Sequence, residues 1–401
     1  MDSPRGRIDL MRGLAEGKIF WSDSVVAHFD RCLGCMACVT ACPSGVRYDI
    51  LIEETRARLE KQGRRSWLDR LQRSMIFALF PYPSRLRAAA AASLLYSRTG
   101  LQTLVRRSGL LRLLPARVAQ LDALMPPVSR RSLSSRLPER VAAKGDRRAR
   151  VTLLSGCVQG VFFPEVNQAT IRVLSAEGCE VRIPRGQGCC GALSVHAGRH
   201  DEAIAFARRA ITALDEEPVD AILVNAAGCG STMKDYGRMF ENDPAWSVRA
   251  AAFSARVRDV NEYLADLPPV APRNPIRVRV AFHDACHLSH AQRVWQQPRR
   301  LLRAIPGLEL VEIPDGEQCC GSAGIYNLVE PESADEIGTR KAENVLRTRA
   351  DLLASANPGC TLQIQKMLRQ RGLRLPAAHP IEILDASIEG RSIAGTPPNR
   401  P

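Results

Sequence analysis

The chain has 401 residues, 45% hydrophobic and 24% charged, a composition that excludes a disordered or collagen-like protein and predicts two or three domains. Its net charge of +14 is uneven, because residues 1–150 hold 28 Lys and Arg against 13 Asp and Glu, a surplus of 28 − 13 = +15. The best apolar run, residues 88–96, is too short to span a bilayer, and the N-terminus lacks the apolar core of a secretory signal. We therefore expect a cytoplasmic chain, either free or lying peripherally on the cytoplasmic face of the inner membrane.

The first predicted domain, residues 1–60, contains four closely spaced cysteines. They form the run Cys32-Leu-Gly-Cys35-Met-Ala-Cys38-Val-Thr-Ala-Cys42-Pro, which is the spacing of bacterial ferredoxins. Two-residue gaps let one tight loop direct three thiolates at a [4Fe–4S] cluster. A structural zinc knot is the alternative, but it needs neither the third cysteine at this spacing nor the proline. The run predicts an iron–sulfur cluster bound by Cys32, Cys35, Cys38 and Cys42.

The fourth cysteine of this run leaves a question open. In ferredoxins with two clusters, the fourth cysteine binds the other cluster, which requires a second run of cysteines. This sequence contains a single run. Either Cys42 completes one cluster, or it belongs with an upstream run that this chain does not contain.

Residues 61–149 form a basic segment with no cysteine and only four acidic residues. Apolar residues recur at helical spacing between arginines, and prolines divide the segment into short helices and a linker. The apolar positions are Leu101, Leu104, Val105, Leu110, Leu111, Leu113 and Leu114. We expect contact with anionic lipid or with a partner subunit, and the alternative is a solvated helical face. Nucleic-acid binding is only a remote alternative, because aromatic residues are few and no recognition motif is present.

From residue 150 onward, short buried strands alternate with helices, and this pattern occurs twice. The first domain, residues 150–267, has predicted strands at 150–155, 180–184 and 220–225 and a helix at 198–214. After a proline-rich hinge, the second domain, residues 276–392, has predicted strands at 278–282, 308–314 and 351–354. The alternation predicts α/β domains with parallel sheets, and the tail after Ile393 is expected to be disordered.

The cysteines of these two domains follow the same spacing. The first gaps are 189 − 157 = 32 and 319 − 286 = 33, and the second gaps are 229 − 190 = 39 and 360 − 320 = 40. This agreement indicates a duplicated domain. The two sets are Cys157, Cys189, Cys190 and Cys229 in the first domain, and Cys286, Cys319, Cys320 and Cys360 in the second.

Each set can form one site, because its cysteines follow predicted strands and parallel strands end at the same sheet edge. Four converging thiolates can hold a metal cluster or act as a redox thiol site. Gly191 and Gly321 allow the tight turn that adjacent cysteines need. The alternative is a structural turn with buried thiols or a disulfide. Cys179 belongs to neither set, and we expect it to fill the core.

Histidines gather around the second set, at positions 283, 287 and 290. His287 can act as a ligand or carry a proton beside Cys286, but we favour a hydrogen-bonded histidine in a loop. The sequence contains no glycine-rich nucleotide loop placed after a strand, no Walker motif and no nucleophile elbow. We therefore expect no flavin on this chain, and a carrier of electrons then needs a partner that binds one.

A ferredoxin-type run followed by two domains with a Cys-Cys-Gly (CCG) motif resembles the iron–sulfur subunits that pass electrons from flavin dehydrogenases toward quinone. The family most similar is that of the glycolate oxidase iron–sulfur subunits. Related subunits occur in lactate utilisation, anaerobic glycerol-3-phosphate dehydrogenase and heterodisulfide reductase. The resemblance is carried by residues 2–8, 30–33, 42–46, 319–324, 355–360 and 379–385.

The resemblance implies an α+β multidomain protein with a small helical ferredoxin-like domain, an Arg-rich helical segment and two duplicated α/β CCG domains. It implies a subunit without catalytic residues, in a complex whose flavin subunits oxidise glycolate to glyoxylate and whose acceptor is quinone-like. An equivalent subunit of a lactate or glycerol-3-phosphate dehydrogenase complex is the alternative.

The sequence departs from its relatives in two places. Family members carry an additional ferredoxin run upstream of the DSPRGR-like segment at residues 2–7, so we expect Met1 to be either a misplaced start or a true truncation. The CCG domains of heterodisulfide reductase end in CxxC, whereas Ala226 and Asn357 take the earlier cysteine positions here.

Overall fold

The structure is a computed structural model that describes residues 1–62, 65–108, 122–125, 128, 132–133, 136–393 and 395. In the N-terminal domain, four helices surround the cysteine loop: α1 (Pro4–Ala15), α2 (Asp23–Asp30), α3 (Ala37–Thr40) and α4 (Tyr48–Gln62). Ser3 and Ser22 cap the first two helices by accepting backbone N–H groups. Phe29 and Ile52 pack beside Cys32 in a small core. The predicted helical ferredoxin-like domain is confirmed.

The basic segment continues as helices α5 (Trp67–Leu79), α6 (Pro83–Arg98) and α7 (Leu101–Arg107). Ile76 and Phe77 pack against Leu328 of the second CCG domain, while Leu86 packs against Val161 of the first. The predicted short helices are confirmed here, but residues 110–114 and the tail beyond Ile393, apart from Gly395, lie outside the described residues. Among the helices described, none is both long and apolar enough to cross a membrane.

The first CCG domain is built on a five-stranded sheet with strand order β1-β3-β2-β4-β5. β2 to β5 are parallel, and β1 pairs with β3 in the antiparallel direction. The strands are β1 (Arg140–Val141), β2 (Ala149–Leu153), β3 (Cys179–Arg182), β4 (Ala221–Val224) and β5 (Val257–Asp259). The helices are α8 (Val158–Phe162), α9 (Pro164–Ala176), α10 (Ala192–His196), α11 (His200–Leu214), α12 (Ala227–Lys234), α13 (Tyr236–Met239), α14 (Ser247–Arg256) and α15 (Val260–Asp266). The three predicted strands and the predicted helix are confirmed.

The second CCG domain repeats this plan with a four-stranded parallel sheet of order β7-β6-β8-β9. Its strands are β6 (Val278–His283), β7 (Leu308–Glu312), β8 (Leu352–Ser355) and β9 (Ala377–Ala378). Its helices are the π-helical turn His287–Ala291, then α16 (Gln296–Arg303), α17 (Tyr326–Val329), α18 (Pro331–Arg347), α19 (Pro358–Gln370) and α20 (Pro380–Ile388). All three predicted strands are present.

The two CCG domains share one apolar core. Val151 of β2 and Val280 of β6 belong to the same buried cluster. Helices α9 and α20 pack against each other between the domains, and Arg172 pairs with the buried Asp385 at 2.6 Å. The packing fixes how the two sheets lie relative to each other, and therefore how their cysteine-bearing edges are placed.

Candidate metal centres

The four cysteines of the first CCG domain lie in a row at the carboxyl edge of the sheet. Cys157 follows β2, the pair Cys189-Cys190 follows β3, and Cys229 lies in α12 after β4. The Sγ atoms of Cys157 and Cys189 are 3.6 Å apart, and the Cys190 thiol contacts those of Cys189 and Cys229. The first three side chains are buried.

The second domain builds the same row from Cys286, Cys319, Cys320 and Cys360. Each thiol contacts the next along this order, and all four residues are buried. All thirteen cysteines of the chain are free thiols, so the disulfide alternative is not realised. The structure brings each predicted set together, while the role of these cysteines as ligands stays a prediction.

The electrostatics of these rows fit a metal centre. The thiol of Cys157 donates to Cys189, and this bond together with burial raises the pKa of Cys157 well above its usual range. A bond to Cys319, together with burial, likewise raises the pKa of Cys286 well above its usual range. Adjacent buried thiolates repel one another and are stabilised when a metal cation neutralises them. Soft sulfur donors in this number suit iron–sulfur clusters or zinc.

Glycine is required where each pair of adjacent cysteines turns. Gly191 and Gly321 have φ values of +80° and +87°, in the left-handed region that side chains avoid. Their N–H groups donate to the sulfurs of Cys189 and Cys319 at 3.3 and 3.4 Å. A Cβ at Gly191 would also lie 3.1 Å from the carbonyl oxygen of Ala203. The predicted role of both glycines is confirmed.

In the N-terminal loop, Cys32, Cys35 and Cys38 lie together. The Cys32 sulfur accepts hydrogen bonds from the N–H of Gly34 at 3.5 Å and the hydroxyl of Tyr48 at 3.6 Å. Burial, together with the charges of Cys35 and Cys32, raises the pKa of Cys38 to about 11. The three thiols therefore share one pocket that favours neutral thiols or metal-bound thiolates.

Cys42, the fourth cysteine of the run, is partly exposed like Cys35 and Cys38. The backbone N–H groups of Val46 and Ser44 lower the pKa of Cys42, and the charge of Arg5 contributes in the same direction. Whether Cys42 completes the cluster of Cys32, Cys35 and Cys38 or serves another cluster stays open, as in the sequence analysis.

The N-terminal domain lies against the row of cysteines in the second CCG domain. Burial raises the pKa of Cys35, and the charge of Cys286 raises it as well. The hydroxyl of Thr40 is 2.8 Å from Nδ1 of His290 in the π-helical turn. Two of the three candidate centres are therefore direct neighbours.

Arg56 joins the N-terminal domain to the first CCG domain. The sequence analysis did not identify this residue. Its guanidinium donates to the carbonyl oxygens of Cys32, Phe29 and His196, which joins the N-terminal loop to the first CCG domain. The rings of His196 and His287 pack edge to face at 4.6 Å. His287 is hydrogen-bonded to the Cys286 sulfur at 3.4 Å and opens the π-helical turn rather than a loop, so the choice between a structural histidine and a ligand or proton carrier stays a prediction. No signal in the sequence relates Arg56 to His196, because their contact depends on tertiary packing.

Comparison with known proteins decides the family. A family model described as "Cysteine-rich domain" matches residues 151–234 and 280–365, and one described as "4Fe-4S binding domain" matches residues 25–48. Residues 68–125 match "Glycolate oxidase iron-sulfur subunit, linker region". The chain is 38% identical to the probable glycolate oxidase iron-sulfur subunit of Bacillus subtilis, over 95% of this chain and 87% of that protein. It belongs to the family of glycolate oxidase iron–sulfur subunits.

Other relatives agree with this assignment. The glycolate oxidase iron-sulfur subunit of Escherichia coli is 32% identical over 97% of this chain and 89% of that protein. The Lactate utilization protein A of Oceanobacillus iheyensis is 29% identical over 60% of this chain and 98% of that protein. The 4Fe–4S match confirms the predicted iron–sulfur cofactor, and the family assignment confirms the predicted resemblance. The chain is an iron–sulfur subunit of the oxidoreductase type.

Proposed function

We propose that this chain is the electron-transfer subunit of a glycolate dehydrogenase complex. Its partners are flavin-containing subunits that oxidise glycolate to glyoxylate, and a quinone-type acceptor receives the electrons. The observation that carries the electron-transfer role is the packing of the N-terminal domain on the second row of cysteines, where the Thr40 hydroxyl lies 2.8 Å from Nδ1 of His290 and the charge of Cys286 acts on Cys35. When bound, an iron–sulfur cluster accepts and releases one electron at a time.

In this proposal, the chain contributes ligands, their orientation and their electrostatic surroundings. Cys32, Cys35 and Cys38 hold a [4Fe–4S] cluster, and Cys42 either closes it or serves another cluster. The cysteine rows of the two CCG domains hold further clusters or act as redox thiols. The Gly34 N–H and the Tyr48 hydroxyl, which donate to the Cys32 sulfur, raise the reduction potential by stabilising negative charge.

Helix α5 offers a surface through which the subunit can lie on a membrane. Trp67, Leu68, Leu71 and Met75 recur along one side of the helix and are between 49% and 65% exposed. Residues 1–150 carry a surplus of positive charge, which favours anionic lipid. The proposed surface therefore joins the subunit peripherally to the cytoplasmic face of the inner membrane.

Vesicle pelleting at low salt tests this surface. The wild-type chain should pellet with anionic vesicles, and replacing both Trp67 and Leu71 by serine should strongly reduce pelleting. Val248→Ser is the matched control, because Val248 is 81% exposed but lies on helix α14 of the first CCG domain. Equal pelleting of all three chains would contradict the lipid contact and leave the flavin subunits as the occupant of this surface.

The donor specificity of the complex tests the function itself. The complex is purified anaerobically from its native host, mixed with glycolate, D-lactate or glycerol-3-phosphate, and examined by EPR. Reduction of the clusters by glycolate is the expected result. A signal only with another donor would overturn the glycolate assignment and retain electron transfer. Bound iron that no donor reduces would overturn electron transfer as well.

A further inference from the structure

The second CCG domain contains a metal-binding side chain that the first lacks. The third residue before the first cysteine of each set is Leu154 in the first domain and His283 in the second. Leu154 packs in the same apolar cluster as Cys190. His283 takes the equivalent place at the end of β6, where a ring nitrogen and the sulfurs of Cys320 and Cys360 all lie within 4.8 Å of one another. The duplication has therefore exchanged an apolar neighbour of the cysteines for a donor.

His283 is buried without a partner for its polar atoms. The residue is 1% exposed, and neither ring nitrogen has a hydrogen-bond partner among the described residues. Buried polar atoms are almost always paired, so a side chain that leaves two of them unpaired needs an explanation. An imidazole nitrogen is among the commonest metal ligands in proteins.

We propose that His283 is a ligand of the metal centre in the second CCG domain, beside the thiolates of Cys320 and Cys360. The inference rests on the proposed function to the extent that this row of cysteines holds an iron–sulfur cluster. The first CCG domain, with Leu154 at this position, keeps a set of sulfur donors only. The two domains then differ in the type of ligand they offer, although the sequence spacing of their cysteines agrees within one residue.

A second buried polar side chain also distinguishes the second domain from the first. The carbonyl oxygens of Ala203 and Ala334 face the glycines of the two CCG turns, so these residues are equivalent. The residue seven positions after Ala203 is Ala210, and the residue seven positions after Ala334 is Lys341. Lys341 is fully buried and donates to the carbonyl oxygens of Asp315 and Gly316.

His283 adds a neutral nitrogen donor to a domain that keeps all four of its cysteines. Because the equivalent residue of the first domain is Leu154, this exchange leaves the charge of the cysteine row unchanged. The second CCG domain therefore differs from the first in the type of donor it offers, and it is also the one that adjoins Cys35.

Pulsed EPR on the full chain, labelled with ¹⁵N in its histidines and reduced anaerobically, tests the ligand directly. The wild-type chain should show a strongly coupled histidine nitrogen. His283→Leu, which introduces the residue of the first domain, should abolish the coupling, and His283→Cys should retain iron with a lower reduction potential. His287→Gln is the matched control, because His287 touches the Cys286 sulfur, and it should retain the coupling.

The outcomes separate the ligand from the cluster and from the function. Coupling that persists in His283→Leu, or is absent from the wild-type chain, overturns His283 as a ligand. Iron content that is unchanged in Cys320→Ser shows that this row holds no cluster and overturns the inference as well. Neither result decides the proposed function, which depends on reduction of the complex by glycolate. Circular dichroism of each variant confirms that it has folded.

Discussion

Gly198 marks the place where the N-terminal domain packs on the first CCG domain, and alanine at this position tests that packing. Gly198 lies just after helix α10 and has a φ of +80°. An added Cβ would overlap the carbonyl oxygen of Arg56 and lie 2.8 Å from the nitrogen of Ala57. Both atoms belong to the backbone of helix α4, so they can move only if that helix shifts.

Two contributions set the size of the effect of Gly198→Ala. The left-handed conformation costs alanine about 1–2 kcal/mol, and overpacking against backbone costs about 1–3 kcal/mol. We expect the free energy of unfolding to fall by about 2–5 kcal/mol. Gly372→Ala is the control, because Gly372 has a φ of +70° and open space where its Cβ would lie. Gly372→Ala should lower the free energy of unfolding only by the conformational contribution, about 1–2 kcal/mol.

Urea unfolding of the cluster-loaded chains, followed by circular dichroism, measures both variants. A second readout is the magnetic interaction between the reduced N-terminal and second-domain centres, which should weaken in Gly198→Ala and persist in Gly372→Ala. Equal losses of stability together with unchanged magnetic interaction would show that helix α4 does not pack on Gly198.

Three further predictions concern the same junction and the cysteines. Arg56→Met removes the hydrogen bonds to three carbonyl groups and should lower the free energy of unfolding by about 2–4 kcal/mol. Arg56→Lys should have an intermediate effect. If Arg56→Met unfolds in urea like the wild-type chain, the role of Arg56 is contradicted. Burial raises the pKa of Glu53 to about 7 although Arg238 lies 2.7 Å away, so the folded chain binds the extra proton and stability falls as pH rises from about 4.5 to 7. Glu53→Gln should reduce this pH-dependent loss of stability by up to about 3 kcal/mol. Melting curves of the variant with the same pH dependence as wild type would refute the role of Glu53. Cys179→Ala should leave the iron content unchanged, because Cys179 packs in the apolar core shared by both CCG domains, whereas a loss of iron would make it a ligand.

Local patterns predicted most of the fold. Buried parallel strands such as β4 are short continuous apolar runs, and the duplicated cysteine spacing located both CCG domains. Strands β1, β5 and β9 span only two or three residues, and so short a segment shows no recognisable period. The predicted domain boundaries stay predictions, because one core crosses the border between the CCG domains.

The arrangement of the sites relative to one another was beyond the sequence. Thr40 and His290 are 250 residues apart in the chain, and no local pattern relates them. The lowered pKa of Cys42 depends on how the loop turns the backbone N–H groups of Val46 and Ser44 toward its sulfur, which spacing does not reveal. The exchange of Leu154 for His283 was visible in principle, because the two domains can be compared residue by residue.

Rapid-freeze EPR after mixing the complex with glycolate tests most directly whether electrons pass from the N-terminal centre to the neighbouring centre of the second CCG domain. The complexes to compare contain the wild-type chain or Cys38→Ser, which removes a proposed ligand of the N-terminal cluster. If the N-terminal cysteines supply the second CCG domain, the wild-type complex shows reduction at both centres and Cys38→Ser strongly slows reduction of the second. Reduction of the second centre at the wild-type rate in Cys38→Ser would contradict the route.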